Sequence, residues 1–214
     1  MTRYYCISFA PFGEQLQMSR RVIARVKSHV ILEKVQPKTT RTLKDLAPVL
    51  QNPEAVGPSP VYEVFIEPEN NEWVNRTVIQ PGYLGEEYTK TFGHYHTHPV
   101  AELYKVESGE GVLLLQKGTP DIVEEVLLVR AKAGDKILIN PEYGHSWSNT
   151  GNEELVLLDN WKDGHTPSDY QPIESHAGMS YYIVDQSSKP IPIPNPIYKN
   201  LPPPHWINAV ELQQ

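Results

Sequence analysis

A single cysteine, Cys6, occurs in 214 residues, so no intramolecular disulfide can form and a thiolate metal cluster is excluded. Long apolar runs are also missing. No stretch approaches the roughly 18 residues that span a bilayer, and no membrane association is expected. Basic charge is scarce: 19 Lys and Arg stand against 26 Asp and Glu, for a net charge of -7. That balance leaves no sequence-wide positive field for nucleic acid or anionic lipid. The opening MTRYYCISFAPFG lacks the basic-then-apolar layout and small-residue cleavage site of a signal peptide, and the expectation is a cytoplasmic protein. Neither G-x-G-x-x-G nor a P-loop string occurs, so neither NAD nor ATP is expected. No nucleophile elbow supports a Ser-His-Asp hydrolase, and Cys6 is poorly placed as a thiol nucleophile.

What is present reads as β-structure. Apolar residues make up 39% of the chain and aromatics 9%, which excludes wholesale disorder. The 20 prolines confine long helices, because proline is tolerated mainly in turns, edge strands and first helical turns. Between Val61 and Trp161 short apolar segments alternate with turn residues: VYEVFIEP, RTVIQPG, AELYKVESGEG, VLLLQKG, EEVLLVRAKAGD, KILINPEYG and ELVLLDNW. Many short strands at even spacing predict a sandwich or small barrel. Ser108-Gly109-Glu110-Gly111 reads as a hairpin turn. Leu43, Leu46, Val49 and Leu50 fit one helical face, and Val22, Ile23, Val26 and Val30 fit another. Ser187 to Pro204 is too proline-rich for a central strand and is expected to run extended over the surface. These signals predict one domain over 1–214, with a barrel core at about 58–186, an N-terminal extension over 1–40 and a proline-rich tail over 187–214.

Histidine is concentrated in Gly93-His94-Tyr95-His96-Thr97-His98, with Glu102 close behind and His145 much later. Residues two apart in a strand share a face, so His94, His96 and His98 are expected to align their rings on one side. His145 follows a turn-like segment, Asn140 to Gly144, and is placed to reach the same site from a neighbouring strand. Three imidazoles and a carboxylate suit one divalent transition metal: iron, manganese, nickel or zinc.

The order glycine, H-x-H, Glu102, Gly109, then Gly134, Pro141, His145 and Asn149 resembles the two cupin motifs. The implied fold is all-β, a cupin-type β-barrel (double-stranded β-helix or jelly roll) with a few short helices and extended termini. More specifically, RTLKDL from Arg41, VYEVF near Val61, RTVIQPGYLGEEYTKTFGHYH, AELYKVESGEGVLLLQ and PEYGHSWSNTG are similar to the cupin-type glucose-6-phosphate isomerases of archaea and some bacteria. That resemblance implies a homodimer that interconverts glucose 6-phosphate and fructose 6-phosphate, with one divalent metal per chain, most often iron. By position it implies His94, His96, Glu102 and His145 as metal ligands. It also implies that Tyr62, Thr77, Thr91 and Gly93 hold the sugar phosphate, with Tyr170 beside them. Glu102, Tyr104 and His165 are the implied catalytic groups. Taken alone, the tyrosines and threonines read as half-buried strand residues.

The spacing departs from the family pattern in two places: five residues separate His96 from Glu102, and Gly134 stands one residue further from Pro141. His98 is an additional imidazole, a candidate ligand or acid-base group. For an aldose-ketose isomerase, Glu102 is the expected proton carrier through an enediolate. A hydride shift is the competing route. The alternatives to the isomerase are another metal cupin, such as a dioxygenase or a different sugar isomerase, and a non-catalytic sugar-binding cupin.

Overall fold

The computed structural model of the protein describes residues 36–68 and 72–212. The helical face expected at Val22, Ile23, Val26 and Val30 lies outside the described residues. The chain runs β1 (Thr39–Arg41), α1 (Leu43–Leu46), β2 (Tyr62–Ile66), β3 (Asn75–Ile79), β4 (Tyr83–Leu84), β5 (Glu87–Tyr88) and β6 (Glu102–Ser108). It continues through β7 (Glu110–Thr119), β8 (Ile122–Lys132), β9 (Lys136–Ile139), β10 (Tyr143–Asn149) and β11 (Leu155–Asp159). After α2 (Pro167–Glu174) come β12 (Tyr181–Asp185), β13 (Pro190–Pro194) and β14 (His205–Asn208).

A six-stranded sheet in the order β1-β2-β3-β11-β6-β9 and a four-stranded sheet in the order β10-β7-β8-β14 contribute to one buried cluster. Val106 of β6, Leu157 of β11, Leu113 and Leu115 of β7 and Trp147 of β10 belong to it. The result is the cupin-type barrel that the two motifs imply. Its strands follow the period-two rule where one face meets the core: Glu102, Tyr104 and Val106 are buried and Leu103 and Lys105 are half-buried. This alternation puts Glu102 and Tyr104 on the inward face of β6.

The helical face at Leu43 to Leu50 forms as a single α-turn followed by a 3-10 turn at Ala47–Val49. Thr42 and Asp45 build a capping box, with the Thr42 amide donating to Asp45 Oδ2 at 2.7 Å and the Asp45 amide donating to Thr42 Oγ1 at 3.4 Å. Pro48, lacking an N–H, ends the α-turn early. Leu46, Val49 and Leu50 are buried as the pattern requires.

The expected hairpin at Ser108-Gly109-Glu110-Gly111 does not form. β6 pairs with β11 and β9, whereas β7 pairs with β10 and β8, so the chain changes sheets at Gly109. Gly109 has φ +80°, and a Cβ there would lie 2.6 Å from the Glu154 carbonyl oxygen. Glycine thus serves a corner packed on the start of β11, a demand indistinguishable in sequence from that of a tight turn.

A further sheet in the order β13-β12-β5-β4 carries the proline-rich segment at its edge. In β13 prolines alternate with Ile191 and Ile193 along the strand. The alternation places all three missing N–H groups on one side, which an edge strand tolerates. No helix among the described residues is long and apolar enough to cross a membrane.

Candidate metal centre

His94 and His145 form an antiparallel bridge. The His94 amide donates to the His145 carbonyl at 3.1 Å, and the His145 amide donates back to His94 at 2.9 Å. Their imidazole centroids lie 4.2 Å apart, and that of His96 is 4.8 Å from His94 and 5.3 Å from His145. Glu102 enters from the first residue of β6. Its Oε2 is 2.9 Å from His96 Nε2 and 3.2 Å from His145 Nε2. One ligand atom from each of His94, His96, Glu102 and His145 lies within 4.8 Å of the other three, and the group could hold a metal ion.

His94 Nε2, His145 Nε2 and Glu102 Oε1 are buried without a hydrogen-bond partner. An unsatisfied buried polar atom costs about 1–3 kcal/mol, more when charged. A cation at the centre would relieve all three costs, and the donor set of imidazole nitrogens and one carboxylate suits a first-row divalent ion. The residues therefore fit the metal that the resemblance implies. Burial alone would raise the Glu102 carboxyl, but the adjacent His145 and His96 imidazoles outweigh it and hold the group at about 2. Burial pushes His94 well below the usual imidazole range, reinforced by the neighbouring His145, His165 and His96 rings. A neutral ring and an ionised carboxylate are the forms that ligate.

His98 does not join them. It is exposed, its Nδ1 3.4 Å from Thr97 Oγ1. The strand that period-two counting assumes ends at the His94 bridge, and β6 starts only at Glu102. At Thr97 the amide donates to Asp169 Oδ1 at 2.8 Å, and the Tyr95 amide donates to the Asp169 carbonyl at 3.0 Å. Asp169 also caps α2 by accepting from the Thr166 amide at 2.7 Å. One residue thereby fastens the helix that carries Tyr170 to the loop that carries His96.

A cavity of about 210 Å³ opens on the cluster, lined by His94 and His145 together with Tyr104 and His165. Tyr62, Thr77, Thr91, Gly93 and Tyr170 line the same cavity, so apart from His98 the site positions expected from the sequence are brought together here or in the histidine cluster. Burial lowers His165 to about 4, against the raising effect of Glu102, so the ring is neutral at physiological pH. Tyr104 is held well above its usual value by burial and by the Glu102 charge, and it remains a neutral phenol.

Among the lining residues that were not anticipated, Arg41, Trp161, Asn75 and Asp159 stand out by their contacts. Arg41 lays its guanidinium 5.6 Å from the Phe92 ring centroid and 5.3 Å from that of Tyr170, and its Nε is buried without a partner. Trp161 packs on His96 at 3.8 Å between centroids. Asn75 and Asp159 face each other across β3 and β11. Burial, then the Glu102 charge, raise Asp159 to about 7. The RTLKDL string contained the only sequence signal for any of them, at Arg41.

Comparison with known proteins agrees with this geometry. Residues 40–192 match the family model described as Glucose-6-phosphate isomerase (GPI). The chain is 30% identical to a glucose-6-phosphate isomerase of Thermococcus litoralis over 202 residues, covering 88% of this chain and 97% of the relative. It is 32% identical to the Thermococcus kodakarensis protein of the same name over 201 residues, with the same two coverages. A bacterial relative of that name, from Sinorhizobium medicae, is 34% identical over 110 residues, covering 51% of this chain and 49% of its own. The ordered motifs, the barrel that carries them and these matches place the chain in the glucose-6-phosphate isomerase family, in its cupin-type branch.

Proposed function

We propose that the protein interconverts glucose 6-phosphate and fructose 6-phosphate at this site, with one divalent transition metal, iron by preference, held by His94, His96, Glu102 and His145. The observation that carries the reading is the set of buried, unpartnered ligand atoms beside a cavity lined by the family's sugar-phosphate positions. The metal, when bound, supplies Lewis-acid stabilisation of negative charge developing on the sugar oxygens.

The chain's own residues bind and orient. Tyr62, Thr77 and Thr91 offer hydroxyls, and Gly93 offers backbone, to the phosphate. Arg41, packed against Phe92 and Tyr170, adds the positive charge that a dianion requires. Anchoring the far end of the sugar sets the reacting carbons against the cluster, which is orientation rather than chemistry. His165 and Tyr104 are neutral donors beside the oxygens that exchange roles. The same residues serve two routes, a proton shuttle through Glu102 and direct transfer of hydrogen between the neighbouring carbons. The homodimer belongs to the same reading and is checked by light scattering.

A coupled assay on fructose 6-phosphate, with and without a chelator, tests the proposal. Turnover that the chelator abolishes and added metal restores is the expected result. Tight sugar-phosphate binding without turnover would instead identify a non-catalytic sugar-binding cupin.

A further inference from the structure

Asn75 and Asp159 are directly opposed in the β3–β11 pair and line the cavity with the histidine cluster. Both are almost fully buried, at 6% and 5% exposure. Asn75 Nδ2 spends its two protons on Asp159 Oδ1 at 2.7 Å and on the Trp161 carbonyl at 2.9 Å. The Trp161 amide also donates to Asp159 Oδ1, at 3.0 Å. Every hydrogen bond to this carboxylate therefore ends on the same oxygen. Among the described residues Asp159 Oδ2 accepts none, and Asn75 Oδ1 is buried without a partner. Both Asn75 donors are thus spent, and Asp159 Oδ2 and Asn75 Oδ1 are left without a protein partner.

A buried carboxylate satisfied on one oxygen only is a poor structural device, since an apolar pair of similar shape would avoid the desolvation cost. The chemistry of the vacant positions defines what completes them. A phosphate brings no donors at neutral pH and would be repelled by Asp159. A sugar hydroxyl both donates and accepts, and so can pair with Asp159 Oδ2 whether that carboxyl is ionised or protonated. Arg41, the cavity's guanidinium, offers the phosphate its own place within the same cavity.

We infer that Asn75 and Asp159 form a hydroxyl clamp that accepts hydrogen bonds from non-reacting hydroxyls of the bound sugar phosphate and selects for their presence. The inference rests on the sugar-phosphate reading above and extends it to specificity. The clamp rejects ligands lacking the hydroxyls because their binding would leave Asp159 Oδ2 buried and unpaired.

Titration calorimetry with fructose 6-phosphate, its 3-deoxy and 4-deoxy counterparts, and inorganic phosphate tests the clamp. Removing a hydrogen bond to a charged group costs about 10- to 100-fold in affinity. Asp159→Ala is expected to weaken fructose 6-phosphate by that factor, to leave inorganic phosphate unchanged, and to bind at least one deoxy sugar as the wild type does. Asp159→Asn retains an acceptor for the Trp161 amide but puts an amide at the free position. It guards against a folding defect and is expected to weaken fructose 6-phosphate by less than Asp159→Ala, because its amide donates to a sugar hydroxyl where the carboxylate accepts. Equal binding of fructose 6-phosphate by wild type and both variants overturns the clamp. So does a loss of equal size for all three sugars and phosphate. If the wild type turns over fructose 6-phosphate while either result is found, only the clamp fails. If the wild type neither binds nor turns it over, both readings fail.

Discussion

His94 and His145, from separate stretches of chain, exchange both of their backbone hydrogen bonds, at 3.1 and 2.9 Å. The two imidazoles are thus positioned by main-chain geometry that does not depend on the rings. His145→Ala is expected to keep this bridge and the barrel while losing a ligand. Metal affinity should fall by more than the roughly 10–100-fold that changes behind the ligands cost, with an unaltered far-ultraviolet spectrum. Undiminished affinity in the folded variant would remove His145 from the site.

Gly144 packs its backbone on the Tyr95 ring, the residue between His94 and His96. An added Cβ would lie 2.6 Å from Tyr95 Cζ, and the ring is tethered because Gln116 Nε2 donates to its hydroxyl at 2.7 Å. Gly144→Ala should cost about 1–3 kcal/mol of stability through overpacking and should weaken metal binding, although position 144 is not a ligand. A variant matching the wild type in both thermal denaturation and metal titration would show that Tyr95 does not set the histidine spacing.

Asp159 links the cavity to pH. Its folded pKa of about 7 stands above the ordinary carboxylate value near 4. The native state therefore holds its proton more tightly than the unfolded chain does. The resulting contribution to stability is fully present below about pH 4 and is lost as pH rises through about 7. In chelator-treated protein, the melting temperature of Asp159→Asn minus that of the wild type should increase from pH 4 to pH 8. A difference constant across that range would mean that Asp159 titrates normally.

Hydrogen transfer leaves an isotopic record. Fructose 6-phosphate converted in D2O separates the two routes: glucose 6-phosphate with little deuterium at C2 is expected from direct transfer between the carbons. Near-complete deuteration in the earliest product would establish a proton route that equilibrates with solvent, with Glu102 as its carrier.

The residues of the candidate metal centre were legible because H-x-H, a downstream glutamate and a later histidine recur in that order even where, as before Glu102, the spacing departs from the family pattern. Fold class was legible for a similar reason, through short apolar segments cut by glycine and proline. His98 was misjudged because period-two counting carries no information about where a strand stops. The Asp169 carboxylate that grips the Thr97 amide lies far along the chain. Gly109 looks the same at a sheet corner as in a hairpin. Asn75 and Asp159 carry no local signal: their pairing arises from strand register, and the acceptors they leave free emerge only once both side chains are buried.

The central claim is that four side chains hold one divalent cation. Elemental analysis of protein purified without added metal, followed by titration with Fe(II), tests it most directly, with His96→Ala as the control. The account predicts one tightly bound metal per wild-type chain and essentially none in the variant. A wild type that takes up no metal, or a His96→Ala chain that takes up as much, would contradict it.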